Sequence, residues 1–103
     1  MAYKLNVTEL AHEDLFNIVA YIAVELSNKP AAIHFVDEVE DCYIRLKENP
    51  YLYELCRDPR LKMEGYRKAV ISHYVLVYKF NEPANEVVIY RFFYGRQDYT
   101  KLI

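Results

Sequence analysis

From Tyr3 to Val7 the chain alternates apolar and polar side chains, the two-residue period of a short strand. The period then changes. Ala11, Leu15, Ile18, Val19, Ile22 and Leu26 recur at three- and four-residue steps. They predict one apolar stripe on a helix of roughly 18 residues. Thr8 stands where a side-chain oxygen caps such a helix, with Glu9, Glu13 and Asp14 near the positive end of its dipole. Ser27-Asn28-Lys29-Pro30 interrupts the stripe, and Pro30 suits the first turn of a second helix, where a missing N–H costs nothing. Ala32, Phe35, Val36, Val39, Tyr43 and Leu46 form the second stripe, which Asn49-Pro50 ends. So short a break between amphipathic helices predicts an antiparallel helical hairpin.

Residues 51–65 carry no clean period and predict a loop with one helical turn. From Tyr66 the period is two again. Tyr66–Ile71 reads as a strand that Ser72-His73 turns; Tyr74, Leu76, Tyr78 and Phe80 then alternate with Val75, Val77 and Lys79. Asn81-Glu82-Pro83-Ala84-Asn85 has strong turn chemistry. Glu86, Val88, Tyr90, Phe92 and Tyr94 alternate with Val87, Ile89, Arg91 and Phe93 up to Gly95. Three strands joined by tight turns predict an antiparallel meander. The order β-α-α-β-β-β predicts one α+β domain over residues 1–103, its helical hairpin packed on one face of a small antiparallel sheet. The other face is expected to expose several aromatic rings. Strict alternation puts Arg91 on the face of Ile89 and Phe93, where an arginine pairs with a carboxylate or sits at the rim.

Composition narrows the class. With 53% apolar residues and a net charge of −2, the 103-residue chain is not a disordered segment. No apolar run reaches the ~18 residues of a membrane helix, and the N-terminus has no signal-peptide pattern. No membrane association and a cytoplasmic location are therefore expected, with Cys42 and Cys56 as reduced thiols. Residues 1–50 hold four cations against nine anions, a net of −5, and residues 51–103 hold nine against six, a net of +3. Each half is too short for a good core of its own, so they are expected as two sides of one domain. A sequence pI near 5.9 is not that of a dedicated nucleic-acid binder. Eleven tyrosines and five phenylalanines with no tryptophan are the one oddity.

Little of this composition carries chemistry of its own. His12, His34 and His73 are far apart and lack the Cys/His spacing of a zinc site, so no metal is expected. Gly65 and Gly95 are the only glycines, too few to cradle a nucleotide, and no cofactor is expected. Cys42 lies near the second helical stripe, where a buried inert thiol is the default. Cys56 has Arg57 and Arg60 nearby but no partner base. What remains is a basic, aromatic set: Arg67 and Lys68, Arg91, Arg96 and, three residues on, Tyr99. Guanidinium groups with phenols bind phosphate and stack on bases; equally, they solubilise strand edges or meet a partner protein.

The segments Thr8…Ala11…Asp14-Leu15…Ile18…Tyr21-Ile22, Pro30-Ala31-Ala32, Asn49-Pro50, Tyr66-Arg67-Lys68, Tyr74-Val75-Leu76-Val77-Tyr78 and Arg91-Phe92-Phe93-Tyr94-Gly95-Arg96-Gln97-Asp98-Tyr99 occur in that order. Together they resemble the RelE/ParE superfamily of toxins from type II toxin–antitoxin systems, over nearly the whole chain. Two activities follow from that resemblance: metal-free cleavage of mRNA on the ribosome in RelE-like members, and poisoning of DNA gyrase in ParE-like ones.

The RelE-like activity implies catalytic roles for Arg67, Arg96 and Tyr99, since the reaction must stabilise a phosphorane and move protons. Two basic positions of that pattern are missing, where this chain has Ala69 and Val75. Removing one preorganised donor typically costs ~10²–10³ in rate. His73-Tyr74-Val75 and the long helical hairpin are closer to ParE-like members. The resemblance therefore implies a plasmid-stabilisation toxin directed at gyrase, neutralised by a cognate antitoxin in a hetero-oligomer. Its alternatives are a ribosome-dependent mRNA interferase and an inactive antitoxin-binding module. Tyr74, Tyr90, Arg91 and Tyr94 are the expected partner-binding residues, because tyrosine and arginine are enriched at interface hot spots.

Overall fold

The computed structural model describes residues 3–103. Strand β1 (Lys4–Val7) leads into helix α1 (Glu9–Ala20), which runs on as a π-helical turn over Tyr21–Glu25. Helix α2 (Lys29–Glu48), a short helix α3 (Pro59–Met63) and strands β2 (Arg67–Ile71), β3 (Tyr74–Asn81) and β4 (Glu86–Tyr94) follow. The α+β architecture with a helical hairpin on a small sheet is as the periodicity predicts. The sheet order is β1-β4-β3-β2. Strands β2, β3 and β4 form the antiparallel meander, and β1 joins its far side parallel to β4.

Helix starts follow their caps. The Thr8 hydroxyl accepts the Ala11 N–H at 3.1 Å, Asn28 Oδ1 accepts that of Ala31 at 3.1 Å, and Asp58 Oδ2 accepts that of Leu61 at 3.0 Å. Pro30 and Pro59 occupy first turns, where no N–H is required. On α2 the buried side chains are Ala32, Phe35, Val39, Cys42 and Leu46, a three-four repeat that turns one face to the sheet. On α1 the stripe holds through Ala11, Ile18 and Ile22 but not to Leu26, which is 55% exposed. The cause is the π-turn: Leu26 N–H bonds to Tyr21 O, five residues back, so the last turn winds wider and rotates Leu26 off the stripe.

The main core lies between the hairpin and one sheet face, around Leu46, Leu76, Tyr78 and Ile89. The expectation of an aromatic-rich open second face is not met in full. Cys56, Leu61 and Tyr66 from the α3 region, with Tyr99 and Ile103 from the tail, pack over Val75, Val77 and Phe93 as a second core. Covering both faces removes more apolar area from water than one hairpin can. Arg60 fastens this cover, its guanidinium donating to Thr100 O at 2.6 Å and Ile103 O at 2.8 Å.

Strict alternation along β4 also fails, and this corrects the face assigned to Arg91. Val77 and Tyr78 are neighbours on β3 but pair with Arg91 and Ile89, which leaves Tyr90 as the extra residue of a β-bulge. Val87 and Ile89 before the bulge, and Phe92 after it, all join the main core. Arg91 therefore keeps company with Phe93, its guanidinium 4.8 Å from that ring centroid, and not with Ile89.

Candidate functional site

β1 covers β4 only from Glu86 to Ile89, so the upper half of β4 has no strand on its outer side. Helix α1 fills the gap. Thr8, besides capping α1, donates its hydroxyl to Tyr90 O at 2.9 Å, tying the helix start to the bulge. Two turns on, the Asp14 carboxylate accepts Arg91 Nε–H at 2.7 Å, Arg91 Nη2–H at 3.1 Å and the Phe92 N–H at 3.0 Å. The hydrogen bond to Asp14 raises the Arg91 pKa above its ordinary value, against the opposing effect of burial. An arginine held bidentate on a carboxylate is a fixed part of the surface, not a mobile charge.

Beside this pair the end of α1, its π-turn and the end of β4 leave a groove of about 630 Å³. Ile18 and Tyr21 form one wall, Tyr74 and Tyr94 the other, and Arg91 and Gln97 add polar groups. Tyr74 is half-buried, edge-on to Phe35 at 5.2 Å and to Tyr94 at 5.8 Å between ring centroids. Burial raises its phenol pKa, so it presents a neutral hydroxyl. Tyr94 is 46% exposed. The groove is thus a rigid aromatic floor with a few fixed polar groups, the makeup of a protein-binding hot spot.

Of the four positions expected to bind a partner, Tyr74, Arg91 and Tyr94 line this groove. Tyr90 does not: it stacks edge-on with Tyr66 at 5.3 Å against the second core. The three positions named for catalysis are dispersed. Arg67 donates to Tyr53 O at 2.7 Å and lies 5.1 Å from the Tyr51 ring centroid, so it ties the 51–53 segment to β2. It pairs with Tyr78, four register positions from the Tyr74–Tyr94 end of the ladder, or about 13 Å at the strand rise. Tyr99 lies flat on Phe93, 4.9 Å between centroids, in the second core, where burial raises its pKa. Arg96 is exposed, in a notch of about 300 Å³ with Lys68, Ser72 and His73, which Tyr74 and Tyr94 separate from the groove. The missing basic positions are occupied by packing: Ala69 faces the helices and Val75 the second core, both buried.

Sequence alone misses Asp14, Ile18, Tyr21 and Gln97 as groove residues. The periodicity reads Ile18 only as core, and nothing local links Asp14 to an arginine 77 positions away. Cys42 is buried, as its place on the second stripe predicts, and Cys56 is buried as well; burial raises the pKa of each thiol. Among the described residues no cluster of three or more His, Cys, Asp or Glu side chains could hold a metal. No helix there is long and apolar enough to cross a membrane.

The solved structures most informative for comparison carry the same fold. The chromosomal ParDE toxin–antitoxin system of P. aeruginosa matches with TM-score 0.70 and 18% identity, over 90% of this chain and 96% of that one. The RelBE2 toxin–antitoxin complex of Mycobacterium tuberculosis matches with TM-score 0.63 and 23% identity, over 91% and 99%. An arginine-substituted mutant of E. coli toxin RelE in the free state matches with TM-score 0.63 and 16% identity, over 93% and 86%. Among curated proteins none is similar enough in sequence to count as a match. The family model of the ParE toxin of the type II toxin–antitoxin system parDE matches residues 5–99. With that match spanning nearly all of a chain whose fold agrees, this protein belongs to the ParE toxin family of type II toxin–antitoxin systems.

Proposed function

We propose that this toxin arrests growth by binding DNA gyrase, a protein target, and that a cognate antitoxin neutralises it in a cytoplasmic hetero-oligomer. The antitoxin's helix or strand lies in the groove between Tyr74, Tyr94 and Ile18. One observation carries the reading: Tyr74, Arg91 and Tyr94, residue types suited to a protein interface, share one groove, whereas Arg67 and Tyr99 lie apart from it and from Arg96, which borders Tyr74 and Tyr94 in a neighbouring notch. General acid–base work on a phosphodiester needs its groups within hydrogen-bond reach of one phosphate. Purified gyrase, assayed for supercoiling with and without antitoxin, tests the proposal. Inhibition that the antitoxin relieves is expected; unchanged supercoiling at excess toxin would sink it.

Ribosome-dependent cleavage of mRNA is the second reading. The notch that holds Lys68, His73 and Arg96 without an acidic lining residue favours it. Primer extension on transcripts after induction separates the two. Cuts that disappear with Arg96→Ala support the nuclease, and intact transcripts during growth arrest exclude it. Normal growth under strong induction without antitoxin would leave only an inactive antitoxin-binding module.

A further inference from the structure

We propose that the outer face of the helical hairpin is a self-association surface, pairing with the same face of a second copy about a two-fold axis at Ile33. Between α1 and α2, on the side away from the sheet, Val19, Ala23, Ile33 and Val36 line an apolar groove of about 380 Å³. It shares no lining residue with the groove at Tyr74 and Tyr94. Ile33 is 64% exposed, and Phe16, three residues before Val19 on the same side of α1, is 73% exposed. Contiguous apolar exposure of this kind marks an interaction site.

Charge identifies the occupant. The only charged residues lining the groove are Lys29 and Asp37, one at each end. Among the described residues neither joins an ion pair within the chain. They stand four residues to either side of Ile33 on α2. Helix geometry therefore puts them about 6 Å along the axis and about 40° around it, in opposite senses. When two α2 helices cross obliquely, at the angle of about 50° that lays their i±4 rows along each other, with the two-fold axis at Ile33, Lys29 of each copy faces Asp37 of the other and Ile33 meets Ile33. This is the reciprocal pattern of an isologous contact. A uniformly acidic or basic partner would satisfy only one of the two charges, whereas a second α2 satisfies both.

Sedimentation velocity on the purified chain across the micromolar range tests the pairing. A monomer–dimer equilibrium is expected, and Ile33→Glu should abolish it. Lys29→Asp and Asp37→Lys, each alone, set like charges against each other at both contacts and should raise the dissociation constant by at least about tenfold. Mixed in equal amounts, the two variants bring each introduced charge opposite its complement, and dimers should return. All three positions are exposed, and circular dichroism checks that each variant folds. A wild-type chain monomeric throughout would overturn the proposal and leave the face to a different protein. So would single variants that dimerise like wild type, or a mixture that stays monomeric.

Discussion

Asp14 on α1 holds Arg91 and the backbone of Phe92 together: Oδ2 accepts both Arg91 Nε–H at 2.7 Å and the Phe92 N–H at 3.0 Å. One carboxylate thus closes the outer edge of β4 where β1 has ended and fixes the arginine that borders the groove. Without it, an edge N–H and a largely covered guanidinium lose their partner together.

Asp14→Ala should therefore destabilise the fold by about 1–3 kcal/mol, since both side chains are mostly covered and the loss leaves polar groups unpaired. Asp14→Asn keeps an acceptor for the Phe92 N–H and should cost less. Urea denaturation of the two variants checks the order, and equal losses would show that the ion pair alone matters.

Tyr94→Ala should weaken antitoxin binding by about 2 kcal/mol, close to thirtyfold, while stability changes by less than about 0.5 kcal/mol. The ring is half exposed and belongs to neither core. Titration calorimetry against the antitoxin, beside a melting curve, separates binding from folding. A large stability loss with unchanged affinity would move the partner site elsewhere.

The two arginines should part company. Arg67→Ala removes the 2.7 Å bond to Tyr53 O and the contact with the Tyr51 ring, and should cost about 1–2 kcal/mol of stability. Arg96→Ala removes an exposed side chain and should change stability by less than about 0.5 kcal/mol. If the toxin acts on gyrase, cellular transcripts stay intact with either variant and with the wild type. Thermal melts and primer extension together report both halves.

Tyr78 is fully buried, and its hydroxyl donates to Pro50 O at 2.9 Å. Burial pushes its pKa up to about 12, and that of Tyr43 to about 12. These folded-state values lie above the ordinary value of 10.0, so between pH 10 and 12 the unfolded chain ionises first and binds fewer protons. Stability should be fully present below about pH 10 and fall as pH rises through that window. Tyr78→Phe leaves Pro50 O unpaired, costs about 1–2 kcal/mol near neutral pH, and should make the alkaline decline shallower. Chemical denaturation at a series of pH values would show it; an unchanged alkaline slope would assign the effect to other groups.

Where contacts are local, the sequence was legible. The α2 stripe from Ala32 to Leu46 depends only on side chains three and four apart, and Thr8 caps the helix that begins beside it. The short helix at Pro59 sits within the one helical turn expected between residues 51 and 65. Leu26 departs from the stripe because one extra residue in the π-turn shifts the phase of all that follows. Tyr90 did the same on β4, and with it the face of Arg91.

The sequence by itself determined the α+β class, the element order, the helical hairpin, the meander and the family resemblance, since periodicity, caps and turn residues act over a few positions. Tertiary structure decided the rest: the parallel seat of β1 beside β4, the second core under the α3 region and tail, and the bulge at Tyr90. It also joined Asp14 to Arg91 across 77 positions and gathered Tyr74, Arg91 and Tyr94 while leaving Arg67 and Tyr99 elsewhere. The physical reason is common to all of these. They are contacts between distant segments, set by which strand edges must be satisfied and which apolar faces must be covered, and no local pattern of residues encodes them.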